Sequence, residues 1–165
     1  MFIGHLPAGY LLTRWLQRRL KTREFLWVGL LASIFPDLDM LYFYLIDDQK
    51  TLHHHYWTHL PLIWIALWIL LVILARVLKN RTVFILVMII FANLVLHFAL
   101  DSIVGGISWL YPFFEYDLFL FTVPATHDFW VWSFVFHWTF LFEIAVILAA
   151  ILTAYKHRSG ASQGR

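Results

Sequence analysis

Residues Thr82 to Val104 read TVFILVMIIFANLVLHFALDSIV, and this stretch decides the fold. A membrane span needs about 20 predominantly apolar residues, and the run supplies them while ending on His97 and Asp101. An open strand edge leaves backbone groups unsatisfied in lipid, so such a run reads as a helix. The same criterion selects Leu60 to Leu78, with one charge at Arg76, then Phe25 to Ile46 and Phe129 to Tyr155. The expected fold class is therefore an all-α integral membrane protein of about four transmembrane helices. Phe2 to Trp15 is also apolar, but at 1.5 Å per residue it reaches only about 20 Å and cannot span. Two placements stay open for it: an interfacial helix, or a partial span packed among the others that emerges at a basic cluster.

Composition agrees with a lipid-exposed surface. The 165-residue chain is 62% hydrophobic and 13% charged, whereas a soluble domain is about 45–50% apolar and about 25% charged. There is no cysteine, which excludes disulfides and thiolate sites and leaves imidazole nitrogen and carboxylate oxygen as metal donors. The net charge of +2 gives no support to a nucleic-acid partner, so membrane lipids are the expected surroundings. The basic residues follow the first apolar stretch, Met1 to Thr13, where a cleavable signal would have them before it. Residues 1–158 read as one membrane-embedded domain, and the Gly- and Ser-rich tail 159–165 is expected to be disordered.

Eleven of the twelve Lys and Arg residues fall on one side of this topology and only Lys50 on the other. That asymmetry puts the basic side and the C-terminus in the cytoplasm. Depth can be estimated from the helical rise. Asp37 and Asp39 lie about 20 Å from Glu24, His59 about 25 Å from Arg76, and His97 and Asp101 about 24 to 30 Å from Arg81. His5 reaches a similar layer if the first helix is a partial span. One layer toward the non-cytoplasmic face therefore gathers the acids and histidines. A charge within a span costs several kcal/mol unless it is paired, solvated or bound to a cation. No Lys or Arg shares this layer, so a divalent cation held by histidines balances the acids.

The motifs differ in specificity. His97 and Asp101 stand i to i+4 on one helical face, which suits a ligand pair and also an ordinary buried His–Asp hydrogen bond. Pro36-Asp37-Leu38-Asp39 puts two acids at a helix break or at a solvated interfacial turn. In His53-His54-His55-Tyr56-Trp57-Thr58-His59, His55 and His59 share a helical face, whereas His54 and His59 converge only if the backbone is not a regular helix. His137 and Glu143, six residues apart, read as structural, and His127-Asp128 reads as an N-terminal cap for the helix that follows. Trp57, Trp109, Trp130 and Trp132 read first as an interfacial aromatic belt.

His5 in Gly4-His5-Leu6-Pro7-Ala8-Gly9, the Pro-Asp-Leu-Asp element, the run ending Thr58-His59, His97-x-x-x-Asp101 and Trp109-Leu110-Tyr111-Pro112-Phe113 together resemble the LexA-binding, inner-membrane-associated metal-dependent hydrolase family. The resemblance runs from His5 to Phe113. His55 stands where that family has an arginine. The family is in turn distantly similar to zinc-dependent phospholipase C, and this chain lacks the later His-x-x-x-Glu of those enzymes. The resemblance implies a bacterial inner-membrane, multi-pass protein with metal ligands His5, Asp37, Asp39, His54, His59, His97 and Asp101. It implies one or two zinc ions, water activated by the metal, and Asp37 or Asp39 as a ligand or as the catalytic base. The expected function is hydrolysis of a phosphoester or phospholipid-like substrate. The alternatives are a non-catalytic metal-binding membrane protein, a partner of a soluble regulator, or an ion transporter. The nearly unbroken apolar character of Ile63 to Ala75 and Thr82 to Phe91 argues against a through-path for ions. Oligomeric state is left open.

Overall fold

A computed structural model describes residues 3–48, 50–51 and 53–162. Seven α-helices follow in order: α1 (His5–Arg19), α2 (Leu26–Ile34), α3 (Asp39–Leu45), α4 (Pro61–Val77), α5 (Arg81–Asp101), α6 (Trp130–Val135) and α7 (Phe140–Ser162). Three short 3-10 turns, Pro36–Leu38, His53–His55 and Trp57–His59, lie between α2 and α4. The described residues contain no strand, only an isolated antiparallel pairing of Ile107 with Leu118.

The elements start and stop for local reasons. Pro36 has no N–H to extend the ladder of α2, and the chain turns by 53° between Leu26–Ile34 and Pro36–Leu45. Pro61 occupies the first turn of α4, where the missing N–H is harmless. Asn80 caps α5 by accepting from the backbone N–H of Val83 at 3.1 Å. Lys79, at a φ of 50°, closes the tight reversal that sets α4 against α5.

Helix α5 is the central element and packs against α1, α2 and α4, while α7 packs on α1. Of the two placements open for the N-terminal helix, the structure shows the packed one. His5, Ala8, Thr13, Leu16 and Gln17 of α1 are buried, and at its far end Leu20 O accepts from Arg81 Nη2 at 3.3 Å. Helix α1 thus runs antiparallel to α5. The two backbones of α1 and α2 come close because Gly9 faces Ser33 and Gly29 faces Thr13; a Cβ at either glycine would overlap the facing side chain. Small residues at crossings are the usual way for membrane helices to approach. Asn93 ties this layer to α5 by donating to Thr13 Oγ1 at 3.0 Å. Apolar clusters lie on either side of it, Leu16, Ile85 and Ile89 toward the basic end and Leu94, Phe98 and Ile107 toward the other.

Among the described residues, two or three of the four expected spans meet the length and apolarity a crossing needs. Arg81–Asp101 and Phe140–Ser159 are long and apolar enough to cross a membrane, and the bent pair Leu26–Ile34 with Pro36–Leu45 makes a third if it counts as one span. Helix α4 has 17 residues, starting at Pro61 and ending at Val77. The expected span Phe129 to Tyr155 is split into α6 and α7 at His137-Trp138-Thr139. At the C-terminal end, α7 continues through Ser162, with Ser159 Oγ donating to Tyr155 O at 3.1 Å. The start of the expected disordered tail is therefore helical, and residues 163–165 lie outside the described residues. Trp27, Leu31, Leu70, Ile151 and Leu152 remain exposed on helix surfaces, as in a chain whose solvent includes lipid.

Candidate metal centre

The site is assembled at the end of α5 away from the basic cluster. His97 and Asp101, one turn apart and both buried, bring His97 Nε2 to 3.0 Å from Asp101 Oδ2. The first residue of α1 contributes His5, whose Nε2 lies 3.0 Å from Asp101 Oδ1. The proline bend contributes Asp37, with Oδ1 3.6 Å from His97 Nε2 and 3.7 Å from His59 Nε2. The turn before α4 contributes His59, with Nε2 3.3 Å from His97 Nε2. His54 reaches the rim, its Nε2 4.0 Å from Asp101 Oδ2. Two overlapping groups result, His5/Asp37/His97/Asp101 and His54/His59/Asp101, in each of which the donor atoms lie within 4.8 Å of one another. Asp101 belongs to both, and each group is compact enough to hold one ion.

The far side of each ring explains its aim. His97 Nδ1 is 2.9 Å from Ser33 O, and His54 Nδ1 is 2.7 Å from Gly105 O. A carbonyl only accepts, so those Nδ1 atoms carry the proton and leave the Nε2 lone pairs facing inward. His59 Nδ1 lies 2.7 Å from Asp39 Oδ2, and Asp39 also accepts from the Thr58 hydroxyl. A carboxylate or carbonyl behind an imidazole is the usual support of a metal-binding histidine. The Nε2 atoms of His97 and His59 approach to 3.3 Å, beside the carboxylates of Asp37 and Asp101. A cation placed among them could be shared by all four side chains. The donor set, imidazole nitrogen and carboxylate oxygen without thiolate, suits zinc and similar divalent ions.

The expected site residues divide accordingly. His5, Asp37, His54, His59, His97 and Asp101 are brought together. Asp39 is not: its Oδ2 lies 2.7 Å from His59 Nδ1, behind that ring and outside both groups of converging donors. The cause is the 3-10 turn at Pro36–Leu38, which sends the two acids to different sides of the His59 ring. His55 points away, to Asp117 Oδ2 at 3.1 Å. A hydrogen bond from Ser108, aided by His55, holds the Asp117 carboxyl below its ordinary pKa against partial burial. His137 bonds Thr139 Oγ1 at 2.9 Å, within its own turn. Glu143, buried, accepts from Ile3 N at 2.7 Å and so anchors the segment that leads into His5.

A cavity of about 490 Å³ opens over the cluster. Asp37, His54 and Asp101 form its polar floor, while Met40, Val104, Val123, Trp130 and Phe134 supply much of the wall. His127, Asp128 and Ser133 also line it. The expected cap at His127-Asp128 is not seen, since α6 follows Phe129 with no side-chain cap. Sequence spacing gave no sign of these cavity residues. They reach the site because the connection from α5 folds back on it, Leu120 N and Phe121 N donating to Ser102 O and Ile103 O, each at 2.9 Å. Gly105 likewise admits the His54 ring, which a Cβ there would strike.

Residues 1–161 match the model of the YdjM inner membrane protein family. No curated protein and no solved structure matches the chain.

Proposed function

The chain belongs to the YdjM inner membrane protein family, and from that premise we propose that it is a membrane-embedded, metal-dependent hydrolase of a lipid-like phosphoester. The observation that carries this reading is the convergence of four imidazole Nε2 atoms and two carboxylates under an open cavity, with the rings of His54, His59 and His97 held from behind. His5, Asp37, His97 and Asp101 would hold one ion, and His54 and His59, sharing Asp101, a second. Zinc is the ion that the donors favour. When bound, it would lower the pKa of water toward neutrality and polarise the phosphoryl oxygen.

The chain's own residues do the rest. Asp37, whose side chain is 33% exposed, faces both the ligand cluster and the cavity, so it is placed to orient the attacking water or take its proton. Asp39 fixes the His59 ring through Nδ1. The apolar wall accepts the hydrocarbon part of a substrate and keeps bulk water from it. Among the described residues no Lys or Arg lines the cavity, so the charge of a phosphoryl group would be offset by the bound ions.

The reading includes an orientation: a multi-pass protein with its basic end and C-terminus in the cytoplasm, and the cavity toward the opposite side. The test is metal analysis of detergent-purified protein, followed by a hydrolysis screen over phosphoesters and phospholipids. Stoichiometric zinc and turnover that both disappear in His97→Ala and Asp101→Ala, with insertion intact, is the expected result. A stable wild-type protein that purifies free of metal and binds none would remove the site and the activity together.

A further inference from the structure

At the other end of α1, the basic residues do not simply decorate a rim. Arg14 and Arg18 of α1, Lys21 and Arg23 of the link to α2, and Lys156 and His157 of α7 line a single cavity of about 800 Å³. Among the described residues, none of the six forms an ion pair with an acid. Like charges gathered around one space repel, and an anion within it removes the repulsion.

The arrangement is built by tertiary contacts. Gln17, nearly fully buried, donates to Arg23 O at 3.0 Å and to Glu24 O at 2.7 Å, and so pins the link against α1. Its Oε1 accepts from Arg14 Nη1 at 3.2 Å, while Arg14 Nε is buried with no hydrogen-bond partner among the described residues. Arg18 Nη2 lies 2.8 Å from His157 Nε2. A guanidinium only donates, so this imidazole accepts and is neutral. The cavity thus presents oriented guanidinium donors in excess of the acceptors around them, the chemistry that recognises a phosphate oxyanion.

We propose that this cavity binds the phosphate headgroup of an anionic phospholipid. The lipid source is favoured because the cavity sits where the apolar helices end. Trp15, next to Arg14 in sequence, and Tyr155, next to Lys156, are both more than half exposed, as aromatic residues are at the headgroup level. Basic pockets between helices on the cytoplasmic side are established receptors for anionic headgroups. Orientation by positive charge needs only a number of charges on one side, whereas this site needs six side chains from three segments facing one space.

The test uses the full-length chain in non-ionic detergent, offered equal phosphatidylglycerol and phosphatidylcholine and read by native mass spectrometry. One phosphatidylglycerol retained with about tenfold preference is expected for the wild type. Arg14→Gln/Arg18→Gln loses that preference, and Arg76→Gln/Lys79→Gln, which removes the same charge from the same end outside the cavity, keeps it. The thermal denaturation midpoint of the same samples reports folding, and Lys21→Gln/Lys156→Gln replaces the first pair if it fails to fold. Equal loss in both kinds of variant, or no preference in the wild type, overturns the proposal. Thermal protection by inorganic phosphate with no lipid retained would assign the cavity to free phosphate and overturn the lipid assignment.

Discussion

At the residue scale, the two acids of Pro36-Asp37-Leu38-Asp39 are adjacent in pattern and opposite in role. Asp37 faces His5, His59 and His97 through their Nε2 atoms, and Asp39 sits behind His59. Asp39→Asn should therefore keep the metal with affinity reduced about 10- to 100-fold, the usual cost of losing an orienting partner. Asp37→Ala, by contrast, should abolish hydrolysis and release one ion outright. Metal titration of the two purified variants decides the matter, and equal behaviour would mean that the assignment of roles is wrong. His137→Ala is the control, because among the described residues that ring bonds within its own turn, to Thr139; its metal content should equal that of the wild type. Protons compete for the same Nε2 lone pairs, so metal occupancy should fall as the pH is lowered. A flat occupancy from neutrality to mild acid would argue against histidine ligation.

At the element scale, the position of His5 depends on how closely α1 lies against α2. Gly9 and Gly29 permit that approach, and a side chain at either must push into Ser33 or Thr13. Gly9→Val should lower stability by about 1–3 kcal/mol, the usual cost of overpacking, and should lower bound metal with it because His5 moves. Thermal denaturation in detergent, with metal measured on the same sample, tests the link. A Gly9→Val protein of unchanged midpoint and full metal would show that α1 does not pack as described. The helix break at Pro36 was legible in the sequence, because proline acts through its own geometry. The start of α4 at Pro61 and the Asn80 cap of α5 were found in the structure. The turns at His53–His55 and Trp57–His59 were not legible, because their backbone follows from where the rings must reach, across to Asp101 and His97.

At the scale of the whole molecule, charge asymmetry predicts orientation. Reporter fusions ending after Lys79 or Lys156 should read as cytoplasmic, and those ending after Lys50 or Glu115 as the opposite side, because eleven of twelve basic residues lie at one end. A reversed pattern would place the metal centre on the cytoplasmic side and sink the proposed orientation. Helical class, lipid-exposed surface and polarity between a basic end and a histidine end follow from the sequence by itself. Each depends on properties that add along the chain: apolar length, the absence of water to satisfy a strand edge, and the sum of charges. The pairing of His97 with Asp101 follows too, since the helical repeat alone sets it. Only the tertiary structure decided that α1 is packed inward, that Asp39 stands behind His59, and that His127 and Asp128 border the cavity. Those contacts join residues far apart in sequence. His5 and Asp39 are placed because a buried imidazole or carboxylate must find a partner in space, and His127 and Asp128 because the chain after α5 folds back on Ser102 and Ile103, demands that no local pattern records.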